Sequence, residues 1–115
     1  MYSIKILYKY TIDEIKEFFE ESIIMLKADS FDDAYNKAEK YVQETMPMEW
    51  TNRSGQHIYV SVVSYVDCFQ VEEDDEVTEV YSSFRINKSS LGQEEYVKLL
   101  TDCCEADELK ELRSI

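Results

Sequence analysis

Glycine is nearly absent from this chain: there are two in 115 residues, Gly55 and Gly92. A phosphate-cradling loop needs several glycines close together, so P-loop and dinucleotide-binding turns are excluded. There is one histidine, His57, which confines any histidine-based nucleophilic or metal chemistry to a single place. Cysteine is also sparse. Cys68, Cys103 and Cys104 make an odd number with two of them adjacent, a poor disulfide framework that points instead to reduced thiols in a cytoplasm. No apolar run approaches the ~20 residues needed to span a bilayer. Residues 1–10 alternate polar and apolar side chains and lack the continuous apolar core of a signal peptide. Positive charge is the last deficit: 12 Lys and Arg stand against 25 Asp and Glu, a net charge of −13. A surface of that sign repels nucleic-acid phosphates and anionic lipid headgroups and attracts basic proteins. The expected partner is therefore a basic protein, with no direct nucleic-acid or membrane binding.

What remains is enough for a folded globule. Apolar residues make up 44%, too many for a disordered chain. The length suits one domain, residues 1–115. Tyr2, Ile4, Ile6, Tyr8 and Tyr10 recur at a spacing of two, the mark of a strand with one buried face. Residues 11–21 are acidic, with Ile12, Ile15, Phe18 and Phe19 at a spacing that suits either a short helix or a wide loop. Residues 22–28 read as a second strand.

Ser30 is a good N-cap for a helix carrying Phe31, Ala34, Tyr35, Ala38, Tyr41 and Val42 along one stripe, and Pro47 ends it. Asn52-Arg53-Ser54-Gly55 is a turn. A long strand is expected at 57–71, with Ile58, Val60, Val62, Val66 and Cys68 on one face and Tyr59, Val63, Tyr65, Phe69 and Val71 on the other. A charged connection follows at 72–76, then a last strand at 77–86. Residues 87–115 form an apolar-striped helical tail, broken near Asp102 or Glu105. The fold class is α+β: a single β-β-α-β-β-α domain with a mostly antiparallel four-stranded sheet, a helix on one face and a C-terminal helical tail. The second face then needs a cover, supplied by the tail or by a second subunit.

The residues that open the chain, Tyr2-Ser3-Ile4-Lys5-Ile6-Leu7, are followed by Glu21-Ser22-Ile23-Ile24-Met25-Leu26-Lys27-Ala28, then Ser30-Phe31-Asp32-Asp33-Ala34 and Lys37-Ala38-Glu39-Lys40-Tyr41. With Asn52 and Gly55, Val62-Val63-Ser64-Tyr65-Val66-Asp67 and Glu79-Val80-Tyr81-Ser82-Ser83-Phe84, this order resembles the bacterial family called domain of unknown function 4288, over about residues 2–86. The resemblance implies a small bacterial intracellular protein, with no activity to transfer onto any residue. The tail from Asn87 is additional.

Chemistry is thinly represented. In a continuous strand His57 and Cys68 are eleven residues apart, roughly 36 Å, and face opposite ways, so a dyad from this pair requires a sharp break in the strand, and Cys103 or Cys104 could approach His57 only through tertiary folding. Cys103 and Cys104 lack a CxxC partner, and no HxxxH pair exists. Glu72-Glu73-Asp74-Asp75-Glu76 lacks the alternating ligands and central glycine of an EF-hand loop. Paired carboxylates for glycoside hydrolysis are too abundant to single out a pair. No catalytic residue, metal or cofactor is expected.

Nine tyrosines, with Tyr8, Tyr10, Tyr59, Tyr65 and Tyr81 in strands on one sheet face, suit a core edge or a protein interface. The leading reading is a small acidic, non-enzymatic protein-binding module of the inhibitor or immunity type. Its proposed surface is Glu72, Glu73, Asp74, Asp75, Glu76 and Glu79, with Tyr81 and Trp50 as aromatic anchors. The alternative is a structural domain that homodimerises through its sheet face. An enzyme with carboxylate chemistry is the third.

Overall fold

The computed structural model describes residues 1–74 and 76–115 and divides into two compact units, Met1–Ser82 and Ser83–Ile115. In the first unit, β1 (Tyr2–Ile12), β2 (Lys16–Leu26), β3 (Glu49–Thr51) and β4 (His57–Gln70) form one antiparallel sheet in the order β2-β1-β4-β3, with α1 (Phe31–Thr45) inserted between β2 and β3. The α+β class and the β-β-α-β-β-α order stand.

β1 is the central strand. Its even-numbered residues Tyr2, Ile4, Ile6, Tyr8, Tyr10 and Ile12 are all buried, as the period of two requires. They meet Ala34, Ala38 and Val42 of α1 and Ile58 and Val60 of β4. Alanine at 34 and 38, both fully buried, lets the helix backbone approach the sheet closely. The helix begins where Ser30 Oγ accepts the Asp33 N–H at 3.1 Å, and Asp33 in turn accepts the Asp29 N–H at 3.0 Å. It ends at Met46, whose N–H reaches Val42 O, one residue before Pro47.

Residues 11–21, left open between helix and loop, are neither. They complete β1, turn, and begin β2, so the pairing runs unbroken from Tyr2↔Leu26 to Ile12↔Lys16. The turn uses left-handed backbone at Asp13 (φ 51°) and Glu14 (φ 59°), closed by Ile15 N–H to Ile12 O at 3.0 Å. Positive φ at both central residues is the mirror-image turn that matches strand twist. Asp13 is tied to β4 from both sides: its N–H donates to His57 O, and its Oδ1 accepts the His57 N–H, each at 2.8 Å.

β4 departs from simple alternation. Its register against β1 shifts between Asp67 and Tyr65 and again between Ser64 and Val62, leaving Val66 and Val63 as extra residues. The shifts put Tyr65 opposite Ile6, on the helix side, and leave Val66 outside that row, reversing the assignment expected for both. Asn52 Oδ1 accepts the N–H groups of Ser54 (3.1 Å) and Gln56 (2.9 Å), and Gly55 takes φ 81°, so the expected turn forms between β3 and β4.

The strand expected at 77–86 does not form; the fourth strand is the short β3 instead. Both sides of β1 are already occupied, so this stretch cannot enter the sheet beside it. The chain crosses over the face away from α1. Ser3 Oγ donates to Val80 O, the Tyr81 ring lies 6.2 Å from Phe69, and Tyr81 OH reaches Asp67 Oδ2 at 3.3 Å.

The second unit holds α2 (Gln93–Thr101) and α3 (Ala106–Arg113), separated where the break was expected. Glu105 and Glu108 form a reciprocal capping box at the start of α3. Neither helix contains a buried residue. Among the described residues, no helix is long and apolar enough to cross a membrane.

Candidate protein-interaction surface

The acidic run after β4 is exposed at Glu72, Glu73, Asp74, Glu76 and Glu79; Asp75 lies outside the described residues. Asp74 N–H donates to Thr78 Oγ1 at 3.1 Å. Tyr81 is half-buried against Phe69 and Asp67, with Lys5 Nζ 6.0 Å from its ring centre. It helps to pin the crossing segment to the sheet. Trp50 sits in β3, edge-on to Tyr10 with ring centres 6.5 Å apart. Its strand partner is Ile58, and the register against β1 sets Ile58 at Ile12 and Gln70, which leads into the acidic run, at Tyr2, ten residues away. At ~3.3 Å per residue that is roughly 33 Å. The structure therefore does not bring Trp50 and residues 72–81 into one surface.

The tyrosines also divide. Tyr8, Tyr10 and Tyr65 share the α1 side by register, whereas Tyr59 is on the far side and half exposed. Burial pushes the Tyr8 hydroxyl up to about 12, with Tyr65 and Glu20 adding to it. Tyr10 is raised further by burial and by the Glu20 carboxylate, to which it donates a hydrogen bond at 3.0 Å. Burial likewise raises Tyr35 and Tyr65. Tyr8 and Tyr10 are core residues, Tyr35 and Tyr65 are part-buried, and all four hydroxyls hold their protons more tightly than a free tyrosine.

A surface that inspection of single segments misses is the sheet face away from α1. The register places Met25, Ile23, Glu21, Phe19 and Glu17 of β2 beside Ser3, Lys5, Leu7, Lys9 and Thr11 of β1. Phe19 is 55% exposed, and Ile23, Met25, Tyr59, Val63 and Val66 are about half exposed. The crossing segment contacts this face around Ser3, Lys5 and Phe69. Around Leu7 and Phe19 the charges are paired across the strands: Lys5–Glu21 at 2.8 Å and Lys9–Glu17 at 3.0 Å. The signal for this face was the alternation Glu17, Phe19, Glu21, Ile23, Met25, visible only once residues 16–26 are read as one strand.

The model of the family described as a domain of unknown function, DUF4288, matches residues 1–82. The chain belongs to the DUF4288 family. The match covers the same residues as the first compact unit, so the DUF4288 domain is the sheet, α1 and the crossing segment, and α2 and α3 lie outside it. No curated protein and no solved structure matches the chain.

Within the DUF4288 domain, the chemistry-bearing residues remain apart. His57 Nε2 contacts Glu49 Oε1 at 2.8 Å across the β3–β4 pair, an ion pair when the imidazole is protonated. Cys68 is near the other end of β4, and burial raises its thiol above the ordinary value, the opposite of an activated nucleophile. Cys103 and Cys104 are exposed free thiols in the second unit. Among the described residues, no three His, Cys, Asp or Glu side chains converge as metal ligands.

Proposed function

We propose that this protein is a non-enzymatic protein-binding module of the inhibitor or immunity type, acting on a basic partner in the cytoplasm. The observation that carries the reading is the sheet face away from α1, where Phe19, Ile23 and Met25 of β2 stay about half exposed beside the Glu17 and Glu21 carboxylates, which pair with Lys9 and Lys5. Isolated apolar residues on a surface are ordinary, but a row of them along one strand suits a docking surface. Residues 1–82 hold 18 acidic and 7 basic side chains, a charge of −11, so the field around this face favours a positive partner. The acidic run at Glu72, Glu73, Asp74, Glu76 and Glu79 contributes to steering, while Phe19 and Ile23 serve as the apolar anchors. The free thiols at Cys68, Cys103 and Cys104 support a reducing compartment.

The test is binding to a partner recovered by crosslinking in the native host and then purified. Affinity for that partner should fall at least tenfold for Phe19→Asp, and association should slow steeply with salt, because exposed charges are screened beyond ~8–10 Å. A partner that binds wild type and Phe19→Asp alike, without salt dependence, rejects the reading. Homodimerisation through the same face is the second reading, favoured by the Lys5–Glu21 and Lys9–Glu17 pairs, whose opposite charges can complement each other across a two-fold axis. Sedimentation velocity separates the two: a monomer at high protein concentration rejects the dimer.

A further inference from the structure

The outer edge of β2 has no strand beside it. β2 pairs only with β1, and among the described residues none of its backbone groups bonds to anything else. Edge strands in soluble proteins are usually short, bulged, interrupted by proline or covered. β2 has eleven residues, no proline or glycine, and an unbroken register. By contrast, β4 is covered by β3 at one end and bulged twice along the rest. The one protective device on β2 is charge: Glu17, Glu20 and Glu21 along the middle of the strand, of which Glu17 and Glu21 also pair with Lys9 and Lys5 of β1.

That charge discriminates between occupants. A second copy would pair antiparallel about a two-fold axis. Centred on Glu20 or Glu21, the pairing sets a glutamate directly against its own copy; centred on Phe19, it sets Glu17 against Glu21. Like charges directly opposite are destabilising, which removes these registers, including the full-length one centred on Glu21, and leaves a second copy only shifted pairings such as that centred on Ser22 over residues 18–26. A basic strand keeps the full-length register.

We infer that the outer edge of β2 accepts an extended, basic segment of a partner protein as a fifth, antiparallel strand. Main-chain hydrogen bonds supply affinity, and alternate side chains supply specificity. On the face away from α1, the incoming strand sets apolar residues opposite Met25, Ile23 and Phe19 and Lys or Arg opposite Glu21 and Glu17. From its N-terminus it therefore reads apolar, apolar, basic, apolar, basic at every second position. This rests on the protein-binding reading and specifies its partner.

The probe is a synthetic peptide, Ile-Thr-Ile-Thr-Lys-Lys-Val-Thr-Lys, titrated into the full-length protein, with two versions N-methylated on alternate residues. Edge pairing uses every second N–H of the peptide. One methylated version should bind at least tenfold more weakly than the parent and the other within about threefold. On saturation, every second amide of β2 should gain protection from hydrogen exchange, and Glu17→Lys with Glu21→Lys should weaken binding at least tenfold. Equal binding by both methylated versions, or no peptide binding at millimolar concentration, overturns the inference. If the purified partner still binds in either case, the protein-binding reading stands without it; if the partner fails too, that reading falls. Protection of β2 amides that rises with protein concentration alone would assign the edge to a second copy and also overturn the inference.

Discussion

Tyr8 shows what a buried polar tip contributes. The side chain is 4% exposed beneath α1, and burial lifts its hydroxyl from the ordinary value of 10 to about 12. The folded state thus holds this proton more tightly than the unfolded chain does. Stability from this group is complete below pH 10 and is lost as pH rises towards 12. Tyr10 pushes in the same direction, because burial and Glu20 raise it as well. Tyr8→Phe removes one of the two penalties, so the alkaline unfolding midpoint followed by far-ultraviolet circular dichroism should move upward. Stability at pH 7 should change by less than about 1 kcal/mol, since the buried ring is kept. An unchanged alkaline midpoint would place the sensitivity elsewhere.

At the scale of elements, the β1–β2 turn is the place where local preference and global fold disagree. Asp13 and Glu14 both adopt left-handed backbone, which Asp tolerates and Glu does not favour. Asp13 is compensated by its bonds to the His57 backbone. Glu14 has an exposed side chain, so Glu14→Gly should stabilise the domain by up to about 1 kcal/mol, measured as a rise in urea midpoint with unchanged slope. The same residues explain why the hairpin was not legible: Asp-Glu is not the Asn-Gly or Asp-Gly signal that marks such a turn. α1 was legible because Ser30, the apolar stripe and Pro47 all point to the same ends. β3 was missed because three residues carry no periodicity. On β4 the alternation was real, but two bulges changed its phase midway, and bulges leave no mark in the order of apolar residues. Residues 77–86 alternate like a strand, yet pairing is a property of the neighbours and not of the segment. The exposed apolar face away from α1 stayed hidden for the same reason, since it exists only when β1 and β2 are set in register.

Over the whole chain, burial and negative charge are distributed unequally. Every buried side chain among the described residues lies between Tyr2 and Val71, and the family match ends at residue 82. α2 and α3, with nine and eight residues, are shorter than the ~12–15 at which isolated helices become even marginally stable, and they bury nothing. Their few tenths of a kcal/mol from capping and helix-end charges cannot rescue them as an independent fold. The core should accordingly be complete without them. A chain ending at Ser82 is expected to show one cooperative thermal transition, with a midpoint within about 4 °C of the full-length protein, because a 1 kcal/mol change shifts a domain of this size by roughly 4–8 °C. Ending the chain at residue 76 instead removes Val80 and Tyr81, hence the Ser3–Val80 hydrogen bond and the Tyr81 contacts with Phe69 and Asp67, and should lower the midpoint further. If the 82-residue chain loses its transition while the full-length chain keeps it, the first unit is not stable by itself and the expectation fails.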